Sequence, residues 1–163
     1  MEIKKAKMRN KSLVFLVFAI VVIQSMLTTS CTSPAMYDQT YDFENQSWSK
    51  SDTAIFEVEV GDTVLNRDFI LSLRTTKSYL YSNLWIYIMI TAPDGSTSKV
   101  AQKIPLANPD GSWIGRVSGS LVESRLRFDS KPFPIKGTYV FKMVNATQEE
   151  VIGEVLDIGL RIE

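Results

Sequence analysis

Asn83-Leu84-Trp85-Ile86-Tyr87-Ile88-Met89-Ile90-Thr91-Ala92-Pro93-Asp94-Gly95 is the most strongly patterned stretch of this chain. From Leu84 to Thr91 both parities are apolar. Leu84, Ile86, Ile88 and Ile90 fall on one side, Trp85, Tyr87 and Met89 on the other. β-Branched and aromatic residues dominate, and Pro93-Asp94-Gly95 closes the run. Such a segment predicts a strand buried on both faces in the middle of a sheet.

The flanking sequence repeats the β signal in weaker form. Ala54–Val60 alternates, with Ala54, Phe56, Val58 and Val60 on one face and Glu57 and Glu59 on the other. Asp68–Thr75, Thr138–Asn145 and Asp157–Glu163 behave the same way, and Lys99–Ala107 is a modest strand with Val100, Ile104 and Leu106. Trp113–Val117 and Gly119–Phe128 read as a further strand or a long hairpin. Their glycines and serines suggest a bulge or twist. Pro109-Asp110-Gly111 repeats the turn device of residues 93–95. Proline presets φ and glycine takes the left-handed position.

One segment, Thr147–Gly153, has a helical signature: Thr147 as cap, Glu150 at the capping-box position and Gly153 as terminator. About eight short strands and at most one helical turn define an all-β chain. The expected fold is an antiparallel β-sandwich, with a jelly roll as one form it can take.

The 163 residues include 18 basic and 18 acidic side chains, one cysteine and no histidine. Basic residues crowd the start: Lys4, Lys5, Lys7, Arg9 and Lys11. Removing residues 1–30 takes away these five and one acid, leaving 13 basic against 17 acidic side chains, a net charge of −4. A mildly acidic body argues against a nucleic-acid partner, which needs clustered cations to displace counterions. Without histidine, Ser-His-Asp and Cys-His catalysis are excluded, along with most transition-metal sites. A lone Cys31 makes neither an intramolecular disulfide nor a cysteine-rich zinc site. No cofactor is implied.

Residues 1–30 read as an export signal. The eleven apolar residues Leu13–Ile23 would span about 16 Å as a helix, roughly half a bilayer's hydrocarbon core. That is short for a membrane span and suits a signal peptide. Leu27-Thr28-Thr29-Ser30-Cys31 then resembles a lipoprotein-processing site, with small Ser30 before the cysteine. The general pattern places Leu three residues before Cys; here Thr28 stands there and Leu27 one place earlier. Acylated Cys31 would carry two or three chains at about 0.8 kcal/mol per buried CH₂, an almost irreversible anchor. The other readings are a plain secretory signal with an incidental cysteine, or an uncleaved anchor. The expected organisation is a signal at 1–30, a lipidated tether at 31–46 that joins the domain near Tyr41, and one sandwich domain at 47–163.

Few constellations point to chemistry. Asp94 and Asp110 could be the two carboxylates of a glycosidase, but each sits where turn chemistry wants an aspartate. Glu57 and Glu59 read as a solvated strand face. Trp85, Tyr87, Trp113 and Tyr139 could form an aromatic platform for sugar rings, though core packing is the commoner use of such residues. Arg74 and Arg161 face away from the inferred core and could pair with Glu57 or Glu59 across strands. Asn45-Gln46-Ser47 and Asn145-Ala146-Thr147 match the glycosylation sequon by chance in a bacterial lipoprotein.

An ordered set of residues resembles the gliding-motility lipoprotein GldH family of Bacteroidetes. It runs through Tyr41 and Phe43 ahead of Trp48, then Leu73-Arg74-Thr75, Tyr79, Tyr81 and Asn83-Leu84-Trp85. Pro93-Asp94-Gly95 follows, then Asp110-Gly111 with Trp113 and Gly115, Gly137 with Tyr139 and Phe141, and the ending Asp157-Ile158-Gly159-Leu160-Arg161-Ile162-Glu163. The resemblance implies a small envelope lipoprotein, held by lipid at the inner or outer membrane and facing the periplasm. It would act as a non-catalytic scaffold beside other gliding-motility or secretion proteins. It carries over no catalytic residue, only Cys31 as acylation site. Two competing readings are a carbohydrate-binding sandwich of a polysaccharide-uptake system and a two-carboxylate hydrolase.

Overall fold

The computed structural model describes residues 35–163. The leader and Cys31 lie outside the described residues. Eleven strands run in chain order: β1 (Tyr37–Asp42), β2 (Ser47–Ser49), β3 (Thr53–Val60), β4 (Arg67–Thr76), β5 (Asn83–Thr91), β6 (Thr97–Pro105), β7 (Arg116–Ser118), β8 (Leu121–Lys131), β9 (Gly137–Asn145), β10 (Val151–Gly153) and β11 (Val155–Ile162). They make a five-stranded sheet in the order β1-β11-β4-β8-β7, a four-stranded sheet β3-β9-β5-β6, and a short pair β10-β2. Every pairing is antiparallel.

Eight strands are long; β2, β7 and β10 have three residues each. Numbered only among themselves, the long ones are ordered 1-8-3-6 in one sheet and 2-7-4-5 in the other. That is the strand order of a jelly roll.

The alternating strands do what their patterns predict. Ala54, Phe56, Val58 and Val60 are buried, as are Phe69, Leu71 and Leu73 of β4 and Tyr139, Phe141 and Met143 of β9. Ile158, Leu160 and Ile162 join them from β11. In register, Leu71 faces Leu160 and Leu73 faces Ile158 in one sheet, while Phe56 faces Phe141 and Ile88 faces Met143 in the other. These inward rows form one core cluster. Both Pro-Asp-Gly turns close as read: Gly95 N–H donates to Ala92 O at 2.9 Å and Gly111 N–H to Asn108 O at 3.0 Å, with φ of 82° and 84°. The expected hairpin forms from β7 and β8 around Gly119. The expected bulge falls at the far end of β8, where Phe69 pairs Asp129 but Ile70 pairs Arg127, so Phe128 is the extra residue.

Three expectations need correction. β5 lies between β9 and β6, but it is not buried on both faces: Leu84, Ile86 and Ile88 are, whereas Trp85 and Tyr87 are exposed. Among the described residues no further layer covers the outer side of the four-stranded sheet. Thr147–Gly153 is not helical. The buried Asn145 side chain turns the chain there, and Val151–Gly153 pairs with β2. Among the described residues the one helical turn is a 3-10 turn at Glu44–Gln46. Residues 37–46, placed in the tether by the sequence pattern, carry β1 and this 3-10 turn, so strand structure reaches back to Tyr37. β1 is polar and exposed except at its first residue, and hydrogen bonding to β11 defines it.

Candidate functional site

The site grows from the outer parity of β5. Because Leu84, Ile86 and Ile88 must face the core, Trp85 and Tyr87 must face outward. They are 43% and 37% exposed, well beyond what large apolar side chains in a sheet centre usually show. Lys99 of the neighbouring β6 sits over the Tyr87 ring, its Nζ 3.9 Å from the centroid, a cation–π contact.

Beside Trp85 a cleft of about 450 Å³ opens between the β4–β5 connection and the β9–β10 connection. Tyr81, Ser82 and Asn83 line one wall. Residues 146–149 line the other, with Ile152 completing the lining. Asn145 builds the second wall. It is buried, and its Oδ1 accepts from Thr147 N–H at 2.8 Å and from Thr147 Oγ1 at 2.7 Å. Its Nδ2 donates to Trp48 O at 3.2 Å and to Glu149 O at 3.4 Å. Ala146 N–H donates to Trp85 O at 3.0 Å, tying the loop to β5. Across the cleft, Tyr81 O–H donates to Glu149 Oε1 at 3.3 Å. Tyr79, packed edge-on to Tyr81 at 5.8 Å, is buried, and its hydroxyl donates to Asn83 O at 3.2 Å. Burial, and secondarily Tyr81, pushes the Tyr79 phenol well above its ordinary range.

Asn145→Ala is expected to cost about 1–3 kcal/mol, because Trp48 O loses its donor and the turn its Oδ1. Urea unfolding measures this; a variant as stable as wild type would show that the carboxamide does not hold the loop.

The sequence-predicted candidates disperse. Of the four aromatics, Trp85 and Tyr87 share the outer face. Tyr139 is buried, with its hydroxyl bonded to Ile135 O at 3.1 Å, and Trp113 packs half-buried against the core beside an isolated bridge to Ala107. They do not form one platform. Asp94 Oδ1 accepts from Ser96 N–H at 2.9 Å, and Asp110 Oδ1 accepts from Ser112 N–H at 2.9 Å and Ser112 Oγ at 2.6 Å. Those serine contacts, first among the causes, lower both carboxyls below their ordinary range. Both aspartates are turn residues.

Glu57 and Glu59 lie on the exposed face of β3, Glu59 accepting from Thr138 Oγ1 at 2.7 Å. Neither arginine reaches them. Arg74 and Arg161 belong to the other sheet, where Arg74 pairs with Asp157 and Asp42, and Arg161 with Asp38 and Glu163. The Asn145 sequon is the turn just described, and its amide nitrogen is fully used. Asn45 and Gln46 both have positive φ, 52° and 53°, in the 3-10 turn. Among the described residues no three Cys, His, Asp or Glu side chains converge to hold a metal. The sequence pattern gave no binding role to Asn83, Gln148 or Glu149. The signal for the loop was Asn145-Ala146-Thr147, an Asx-turn pattern as well as a sequon.

Residues 35–162 match the family model described as GldH lipoprotein. Two similar relatives are the "Gliding motility lipoprotein GldH" of Flavobacterium johnsoniae and the "Gliding motility lipoprotein GldH homolog" of Christiangramia forsetii. The first is 26% identical over 151 residues, covering 88% of this chain and 94% of the relative. The second is 27% identical over 153 residues, covering 88% and 93%.

Proposed function

The chain belongs to the GldH lipoprotein family, and from that premise we propose that it is a lipid-anchored, non-catalytic scaffold of the gliding-motility machinery in the cell envelope. The observation that carries this is the family match, which extends from two residues before β1 to the end of β11. Relatives named for gliding motility align over nearly their whole length. In this reading residues 1–30 are removed, Cys31 takes the acyl chains, and a short tether from Cys31 to the start of β1 holds the sandwich at the membrane surface. The protein's partners are other motility or secretion components of the envelope, met on the periplasmic side of the membrane.

The test is fractionation and affinity purification of the tagged protein beside Cys31→Ala. The wild type is expected in the membrane fraction, labelled by palmitate and accompanied by motility proteins. Cys31→Ala is expected unlabelled and released. Unlabelled, soluble wild type would overturn the anchor. Labelled protein that purifies alone would overturn the scaffold role.

A further inference from the structure

We propose that the cleft beside Trp85 binds a neutral oligosaccharide, with one pyranose ring stacked on the indole. The proposal stands on the cleft's own chemistry and holds whether or not the protein serves motility. At about 450 Å³ the cleft lies in the range of small-ligand sites. Two large exposed aromatic residues line it, Trp85 at 43% and Tyr81 at 45% exposure, and the flat indole of Trp85 suits the C–H face of a sugar ring. Around it stand Asn83, Thr147, Gln148 and Glu149. Two carboxamides, a hydroxyl and a carboxylate offer both donors and acceptors, which vicinal sugar hydroxyls need on both counts.

Charge narrows the class. Glu149 is the one charged residue among those lining the cleft. Lys103, opposite Trp85 on β6, and Lys50, whose Nζ donates to Gln148 O at 3.2 Å, stand outside that lining. An anionic sugar would therefore meet the Glu149 carboxylate before either cation. The walls are also fixed before any ligand arrives. Asn145 holds residues 146–149 in one turn, Ala146 is bonded to the Trp85 carbonyl, and Tyr81 positions the Glu149 carboxylate. Binding therefore costs little ordering of the protein. A proline-rich peptide also docks in aromatic-lined grooves, and Trp85 and Tyr81 both line this one. Four hydrogen-bonding residues, Asn83, Thr147, Gln148 and Glu149, gathered beside those rings favour the polyol.

The test uses the full-length protein in detergent, titrated with cellohexaose, chitohexaose, mannohexaose and, as the competing ligand, decaproline. At least one hexasaccharide is expected to shift tryptophan emission to the blue and to saturate below about 10 mM. Calorimetry, which does not need the indole, is expected to show no binding to Trp85→Ala and binding to Glu149→Gln weakened by about tenfold. Because both side chains reach solvent, each variant should unfold at the wild-type temperature, which checks that the fold is intact. Three hexasaccharides without effect, binding that survives Trp85→Ala, or a response to decaproline alone would each overturn the proposal.

Discussion

Trp48→Ala is expected to lose about 3–5 kcal/mol of stability, the usual range for emptying a large aromatic site. Trp48 is completely buried. Its ring stacks on Phe43 with centroids 4.5 Å apart and planes at 23°. Its indole N–H donates to Asp52 O at 3.0 Å, and its carbonyl receives the Asn145 amide. The backbone around it is weakly held: β2 has three residues and pairs only with three-residue β10. Two such strands have too few ladder bonds to persist alone, so the ring holds this corner of the molecule to the core. Its loss should therefore loosen the 3-10 turn before it and the β9–β10 loop after it. Trp48→Phe keeps most of the apolar volume and loses the bond to Asp52, a cost of about 1–2 kcal/mol. Urea unfolding followed by circular dichroism separates the two. An alanine variant within about 1 kcal/mol of wild type would show that the corner repacks without its plug.

Where one face of a strand is apolar and the other polar, sequence and structure agree, as in β3, β4 and β9, and parity sets which residues are buried. In β11 the apolar row is buried as well, but so are Asp157 and Gly159 on the opposite parity. The two Pro-Asp-Gly turns were legible for a related reason: their geometry is decided within four residues. β5 was legible as a strand and misleading about its surroundings. An apolar residue on the outer parity reads alike whether a layer covers it or not, and Trp85 lies on an uncovered face. β1 was hidden because Tyr-Asp-Gln-Thr-Tyr-Asp has no apolar alternation. It is a strand because β11 supplies a ladder, and that information lies more than a hundred residues away in the chain.

At Thr147–Gly153 a capping-box pattern competed with an Asx turn plus pairing to β2, and the tertiary contacts won. The cleft was the least legible feature. Tyr81 and Glu149 are 68 residues apart, and only the crossing of connections at one end of the sandwich brings them together. The residues near 147–149 carried a local turn signal but nothing to say what they would face.

The remaining large effect is an asymmetry within one ion pair. Arg74 and Asp157 stand opposite each other on β4 and β11, with Arg74 Nε and Nη2 each 2.6 Å from Asp157 Oδ2. Their exposures differ sharply: the Asp157 side chain is 2% exposed and that of Arg74 44%. Removing Asp157 as Asp157→Asn leaves a guanidinium that reaches water and lies 3.9 Å from Asp42, so the cost should be about 1 kcal/mol. Removing Arg74 strands a buried carboxylate. Broken buried pairs cost about 3–5 kcal/mol; because Arg74 is partly solvated, Arg74→Ala is expected at about 2–4 kcal/mol near neutral pH.

Acidity should distinguish the two variants further. Burial raises the Asp157 carboxyl above its ordinary value of 3.8, and Arg74 partly opposes that rise. A raised folded value means that the folded protein binds this proton more tightly than the unfolded chain. The stability that this proton contributes is therefore complete below 3.8 and lost as pH rises through the folded value. Without Arg74 the folded value climbs higher still. The Arg74→Ala deficit relative to Asp157→Asn should then shrink as pH falls from about 7 toward about 4. Comparing the two variants cancels most of the contribution of the other carboxylates, which titrate alike in both. Urea midpoints across that range give the answer. A deficit that stays constant with pH, or an Asp157→Asn variant as unstable as Arg74→Ala, would mean that the carboxylate is solvated and that its burial does not govern the pair.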